Sequence, residues 1–258
     1  MKIGISAIGY ECAEHLDTVL KPWINCKKLC NEQSGDQFII SASHGVFPET
    51  NKLGFPIYST DGTIEKLQNY EKNNDLDYFQ ITNSPTFEKD LRNITLQYLF
   101  HQEIDILWLL DLQDEIYTEA QIYNILNYVE NNEADWFKIN FKNYIFDNNS
   151  YVDDFIAPRI WKNYTNNGIN CFYYDNEILF NNGLKAQDVK NITIPKDIAF
   201  IKHLSWVGSK DYLKRKINFQ KIHYGLCSYK WNEEENKLDF DNDYYVQYNK
   251  QKPIIYKD

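Results

Sequence analysis

Positive charge is what this sequence has too little of. Its 27 Lys and Arg stand against 37 Asp and Glu, a formal charge of −10. A nucleic-acid surface is therefore not expected, because phosphate contacts need clustered basic side chains. Long apolar runs are missing too. No stretch of 18 apolar residues occurs, so no membrane span is expected. The opening MKIGISAIGYEC holds an apolar run too short and polar for a signal peptide, and it reads as a strand. Glycine numbers only 10, and SAIGYECAEH holds one of them, so no glycine-rich phosphate loop follows that strand. The five cysteines (Cys12, Cys26, Cys30, Cys171, Cys227) are an odd set. Cys26 and Cys30 lie four apart with no second pair or nearby His to complete a zinc site, so reduced thiols are expected. Sequons at Asn93, Asn148, Asn163 and Asn191 carry no weight without a secretory signal. No internal repeat or glycine-rich linker divides the chain.

What is present is an ordinary globular composition, 43% hydrophobic and 25% charged over 258 residues, enough for a substantial core. KIGISAIGY (2–10) is a short apolar strand, followed by a helix with Leu16, Val19 and Leu20 at helical spacing. DQFIISAS (36–43) is a second strand. A turn at Asp61–Gly62 leads to a helix from Thr63 that buries Ile64, Leu67 and Tyr70. A longer helix follows, with Leu91, Ile94, Tyr98 and Leu99 as its inner face. IDILWLLDL is a continuous apolar run of the kind buried on both faces of a sheet. Thr118 and Gln121 form a capping box for a helix that buries Ile122, Ile125, Leu126 and Val129. The order β-α-β-α-α-β-α predicts an α/β domain with a mainly parallel sheet. The second half is β-rich and aromatic (DWFKINFKNYIF, FIAPRIW, INCFYYD) until a helix capped by Ser209. The expected organisation is one domain over 1–230, an α/β nucleotide-type half at 1–133 and a β-rich half at 134–230. A polar tail follows at 231–258.

The run DILWLLDLQDEIYT ends in Asp111, Asp114 and Glu115, at the carboxyl end of what should be a central strand. Ligands of open α/β sheets bind at that end. Carboxylates converging there repel one another unless a cation shares them. A hard ion such as Mn²⁺ or Mg²⁺ fills that need and can grip a diphosphate with its remaining positions. The other reading is a solvated acidic turn that favours the next helix's N-terminus. A second constellation, IKHLSWVGSKDYLKRKI (201–217), places His203 before a helix carrying Lys210, Lys214, Arg215 and Lys216. Imidazole suits a Mn²⁺ site and the basic groups suit a leaving diphosphate, with His223 second to His203 as a ligand.

LWLLDLQDEIYT resembles the DxD–E strand end of GT-A fold glycosyltransferases. HLSWVGSKDYLKRKI is similar to a late H-x-SW…K segment in several of their bacterial and viral branches. SAIGYECAEHLDTVL is similar to the first strand and helix of the family-2-like branch, and the likeness spans roughly residues 1–225. The resemblance implies a GT-A-like (Rossmann-like) mixed sheet flanked by helices, with a β-rich acceptor-side half. It also implies transfer of a sugar from a nucleoside diphosphate donor, UDP-sugar first among them, to a hydroxyl of a glycan or glycoconjugate, in a bacterial or virus-infected cytoplasm.

Gly9, Tyr10 and Glu11 would lie against the nucleotide, and Lys216 or Arg215 near its diphosphate. Asp111, Asp114, Glu115 and His203 are the metal candidates, Asp114 foremost. Two residues separate Asp111 from Asp114, against one in the family's motif. Either Asp114 and Glu115 coordinate, with Leu112 at the first aspartate's place, or a local bulge brings Asp111 in. The second strand ends in SASHG, without the Asp often found there; Asp61 either contacts a base or ribose or simply forms its turn. Arg159, Trp161 and Trp206 suit sugar binding. Asp153 and Asp154 are the base candidates, and no base is assigned. The alternatives are a non-catalytic carbohydrate-binding or assembly protein and a sugar nucleotidyltransferase, which would want the missing glycine-rich loop.

Overall fold

The computed structural model describes residues 1–33, 35–162, 172–174, 177–179, 189–223, 225–248 and 250–258. Its description excludes the side chains of 31–33, 154, 172–174, 177–179, 205 and 223. Cys171 and the sequon at Asn163 therefore lie outside the described residues, as do the side chains of Asp154 and His223. The described chain divides into two compact units: Met1–Asn140 with Ile156–Ile201, and Phe141–Phe155 with Lys202–Asp258. That division differs from the expected break near residue 133.

The elements run β1 (Lys2–Gly9), α1 (Ala13–Gln33), β2 (Gln37–His44), α2 (Pro48–Lys52), α3 (Thr63–Lys72), β3 (Tyr78–Ile81), α4 (Glu88–His101), β4 (Ile106–Asp111), β5 (Glu115–Ile116) and α5 (Glu119–Glu130). They continue with β6 (Trp136–Ile145), β7 (Ser150–Lys162), β8 (Phe172–Tyr174), β9 (Glu177–Leu179), β10 (Asn191–Thr193), β11 (Ile201–Trp206), α6 (Lys210–His223), β12 (Tyr229–Asn232), β13 (Lys237–Phe240), α7 (Asn242–Gln247) and β14 (Tyr256–Lys257).

The sheet of the first unit is ordered β3-β2-β1-β4-β7-β6, with β10 beside β6. β1, β2, β3 and β4 are parallel, and β7 joins β4 antiparallel. The order 3-2-1-4 is that of doubly wound Rossmann sheets, and its direction reverses between β1 and β4. The expected α/β class, a mixed sheet flanked by helices, is what the chain adopts. The sequence pattern missed β3, a short edge strand.

Side-chain alternation on β4 shows why IDILWLLDL is apolar throughout. Trp108 meets Trp23 of α1 edge-on, with ring centroids 4.7 Å apart. Leu107 and Leu109 point to the other face and cluster with Leu96 and Leu99 of α4. Both faces are covered, so no position tolerates a polar side chain until the strand ends. Each fully buried side chain of this kind contributes about 1.5–3 kcal/mol. The inner face of α4 differs from the expected one. Leu91, Arg92, Thr95, Leu96 and Leu99 are buried, whereas Ile94 and Tyr98 are half-buried. The arginine is turned inward because the strand end supplies it with acceptors. The capping box of α5 forms as read, Gln121 N donating to Thr118 Oγ1 and Gln121 Oε1 accepting from Thr118 N.

The second unit has its own core, built from Ile145, Val152, Trp206, Tyr212, Leu213, Ile217, Tyr229, Leu238 and Phe240. Residues 231–258, expected as a polar tail, form the end of β12 with β13, α7 and β14, and place Leu238 and Phe240 in that core with Trp231 and Tyr245 against it. Leu238 and Phe240 are few among polar neighbours, which is why composition alone suggested an unstructured end. Ser209 caps α6 as expected, its Oγ accepting from Tyr212 N at 3.3 Å. Cys12, Cys26, Cys30 and Cys227 are buried free thiols.

Candidate functional site

The parallel registers pair Gly9 of β1 with His44 of β2 and Ile8 with Asp111 of β4. The carboxyl ends of three adjacent strands therefore bring Gly9–Glu11, His44 and Asp111 to one edge, at the point where strand order reverses. A turn over Leu112–Asp114 then leads into β5.

Two arginines meet the carboxylates there. Arg92, only 2% exposed, donates to the carbonyls of Leu110 (3.0 Å) and Ser6 (3.3 Å), pairs with Asp111 Oδ1 and lies 3.7 Å from Glu88. Arg159 comes from β7, one residue beyond the last registered pair with β4. It donates through Nε to both oxygens of Glu115 (3.0 and 3.2 Å), pairs with Glu115 again through its second amino group, and reaches Asp111 Oδ2 at 3.3 Å. Glu115 also accepts the backbone N–H of Asp111 at 3.2 Å. Burial pushes the Asp111 carboxyl up, but Arg92 and Arg159 outweigh it and hold the group below the usual carboxylate range. Burial pulls Arg159 down, and Glu115 with Asp111 more than reverses this. The Asp111 carboxylate is therefore ionised at neutral pH.

The strand end thus has a cation of the chain's own making. Glu115, one of the four expected ligands, is at 0% exposure and is engaged by Arg159 through both of its oxygens. His203 lies on β11 of the second unit. Its Nδ1 is 2.5 Å from Asn143 Oδ1 and its ring meets Phe141 edge-on, both residues of that unit. Asp114 is buried at 4% exposure, and the Asp111 side chain keeps 30%. Among the described residues no three His, Cys, Asp or Glu are grouped to hold a metal. Both oxygens of Asp111 pair with arginine, Oδ1 with Arg92 and Oδ2 with Arg159, so a divalent ion at this strand end would have to share that carboxylate with two guanidinium groups. Leu112 is fully buried and bonds Ile8 O through its N–H, so no aspartate belongs at its place.

The segment after β1 is fixed by the loop that precedes α3. Tyr10 donates its hydroxyl to Pro56 O, and its backbone O accepts Gln113 Nε2. Glu11, at a φ of 51°, receives Thr60 N at 2.8 Å and donates its own N–H to Ser59 Oγ. Asp61 accepts from Thr63 N, Thr63 Oγ1 and Ala13 N, the first residue of α1. Of its two readings, turn-former is the one these bonds fulfil. Gly9 is needed for space: a Cβ there would stand 2.9 Å from Cys12 Sγ and 3.0 Å from Leu112 Cβ.

His44 was not among the expected site residues. It is fully buried, its Nε2 2.7 Å from Ser59 Oγ, its ring beside Tyr10, and its Nδ1 without a hydrogen-bond partner among the described residues. Burial pulls its pKa down to about 4, against weaker upward pulls from Asp61 and Glu11, so the ring is neutral. A histidine in SASHG carried the only available signal, its place at a strand's carboxyl end.

Lys216 lies over the Trp206 and Tyr212 rings (5.6 and 5.7 Å) in the second unit. Lys210 and Lys214 pair with Glu233, so these members of the basic cluster have local partners. Trp206 packs on Tyr229 and Trp161 on Trp136, and both are buried in the core. Asp153 is exposed in the second unit. Among the described residues no helix is long and apolar enough to cross a membrane.

No protein-family model and no curated protein matches the chain. Among solved structures it is similar to a protein of Desulfovibrio desulfuricans G20, provisionally identified as a nucleotide-diphospho-sugar transferase. Sequence identity is 11% and the TM-score 0.36, over 75% of this chain and 79% of that one.

Proposed function

We propose that this protein is a glycosyltransferase that moves a sugar from a nucleoside diphosphate donor to a glycan hydroxyl, in a cytoplasmic setting, with donor binding in its first unit. One observation carries the proposal. A parallel sheet of order 3-2-1-4 converges its strand ends on Gly9–Glu11, His44 and the Asp111–Glu115 turn at the point of reversal, where open sheets bind ligands. The likeness of LWLLDLQDEIYT to a GT-A strand end supplies the reaction class.

In this reading the chain's own residues divide the work. Arg92 and Arg159 hold Asp111 ionised and aim it, while Glu115 anchors Arg159 from the interior. The backbone of Gly9–Glu11, fixed by Tyr10, Ser59 and Thr60, offers the surface against which the nucleotide lies. Mn²⁺ or Mg²⁺ would be held by Asp114 with Asp111, and would neutralise charge on the departing diphosphate.

Calorimetry with UDP, in Mn²⁺ and in EDTA, tests this. Binding is expected with the ion and at least about tenfold weaker without it, and Asp114→Asn should remove the difference while unfolding at the wild-type temperature. Equal binding in EDTA would refute the ion's role. Absence of binding to any nucleoside diphosphate would favour a carbohydrate-binding protein without catalysis. The engagement of Asp111 and Glu115 by arginines is the observation that keeps that second reading in view.

A further inference from the structure

The second unit holds a carboxylate in a cradle that no part of the transfer reading uses. Asp258 places Oδ1 2.8 Å from Lys142 Nζ and Oδ2 against the buried hydroxyl of Tyr144, and its N–H donates to Asn149 O at 3.0 Å. Lys202 Nζ stands 4.3 Å over the Tyr144 ring and adds to the positive field on Asp258. Lys142 Nζ itself lies 4.3 Å over the ring of Tyr151. Two residues before Asp258, Tyr256 stacks on that same Tyr151 ring, with centroids 5.6 Å apart and planes 26° apart.

The contacts that keep this segment in place are few. β14 is two residues long and pairs only with Ser150 and Tyr151 of β7. Lys257 adds contacts to the Oγ of the buried Ser150 and to the exposed Asp147. The residues leading to it have no secondary structure, and Ile254 is 71% exposed. A two-residue pairing is marginal by itself, so the docked state depends on the Tyr256 ring and the Asp258 carboxylate.

We propose that Tyr256–Asp258 is the resting occupant of a binding site for a carboxylate-bearing saccharide on the second unit. The segment presents a flat ring to Tyr151 and a carboxylate to Lys142 and Tyr144. A sugar acid offers the same pair of features: an apolar ring face that packs on an aromatic, and a carboxylate that takes an ammonium and a hydroxyl. Two lysines around one carboxylate leave a net positive cradle in a chain of net charge −10, which selects an acidic ligand over a neutral one. Ligand and segment compete, so apparent affinity is lowered by the fraction of molecules in which the segment is docked. This inference concerns the second unit alone and does not rest on the transfer reading.

The test is a calorimetric titration of the full chain, without nucleotide, with a tetrasaccharide alternating glucuronate and N-acetylglucosamine. A neutral N-acetylglucosamine tetramer and an acidic tetrapeptide are the controls. Asp258→Ala should bind the glucuronate oligomer about tenfold tighter than wild type, as expected if the docked form outweighs the open one by about ten to one. Adding Lys142→Gln should abolish the gain, with an unchanged melting temperature showing that the unit stays folded. Three results would overturn the proposal: no gain in Asp258→Ala, equal binding of the neutral tetramer, or a gain that survives Lys142→Gln. Stronger binding of the acidic peptide would overturn the saccharide assignment as well. Since no nucleotide is present, none of these outcomes bears on the donor site.

Discussion

Arg159→Met is the most discriminating perturbation of the strand-end cluster. The substitution keeps a long apolar stem and deletes the group that gives Glu115 two hydrogen bonds through Nε and a further pairing through an amino nitrogen. Glu115 is fully buried and the Arg159 side chain is only 14% exposed. Removing one partner of such a pair leaves a buried charge uncompensated, at a cost of about 3–5 kcal/mol. At roughly 2–4 °C per kcal/mol for a unit of this size, melting should fall by about 6–20 °C. The loss should depend on pH with a definite sign. Without its guanidinium, Glu115 is pressed toward the protonated form, and that form is most available at low pH. The gap between variant and wild type should therefore be smaller at pH 5 than at pH 8. Glu115→Gln in the Arg159→Met background should recover most of the loss, since a neutral amide needs no cation. Denaturant unfolding at the two pH values checks all three expectations. A variant within about 1 kcal/mol of wild type, or a gap independent of pH, would refute the view that the two arginines are what permit carboxylates at this strand end.

Two further predictions concern the neighbouring strands. His44 has its pKa pulled from an ordinary 6.5 to about 4 by burial, so the folded state favours the neutral ring. Stability from this group is complete above pH 6.5 and is lost as pH falls toward 4, about 3 kcal/mol in all. Urea unfolding of wild type should show that decline between pH 7 and 4.5, and His44→Gln should flatten it; a flat wild-type profile would contradict the buried neutral ring. Gly9→Ala should cost about 1–3 kcal/mol, because its Cβ would enter the space of Cys12 Sγ and Leu112 Cβ. An unchanged melting temperature would show that the β1 end has slack.

Periodicity in the sequence was enough to identify β1, α1, β2, α3, α4, β4 and α5, because each carries a pattern set by its own backbone geometry. ILWLL could be read as doubly buried without knowing what buries it. The carboxylates were legible as a group needing a cation, since like charges at a buried strand end are untenable alone. Which cation was not legible. Arg92 lies on a helix face that its neighbours made look solvent-facing, and Arg159 is 48 residues beyond Asp111, brought back by the antiparallel return of β7. His44 and the Asp258 cradle share that character. Strand order aligns the end of β2 with the end of β1, and a two-residue pairing returns Asp258 to Lys142 and Tyr144. Local pattern encodes which face of an element is apolar. Which charges meet across elements depends on strand order and register, and those follow from packing the whole sheet, a sum over contacts that no single stretch contains.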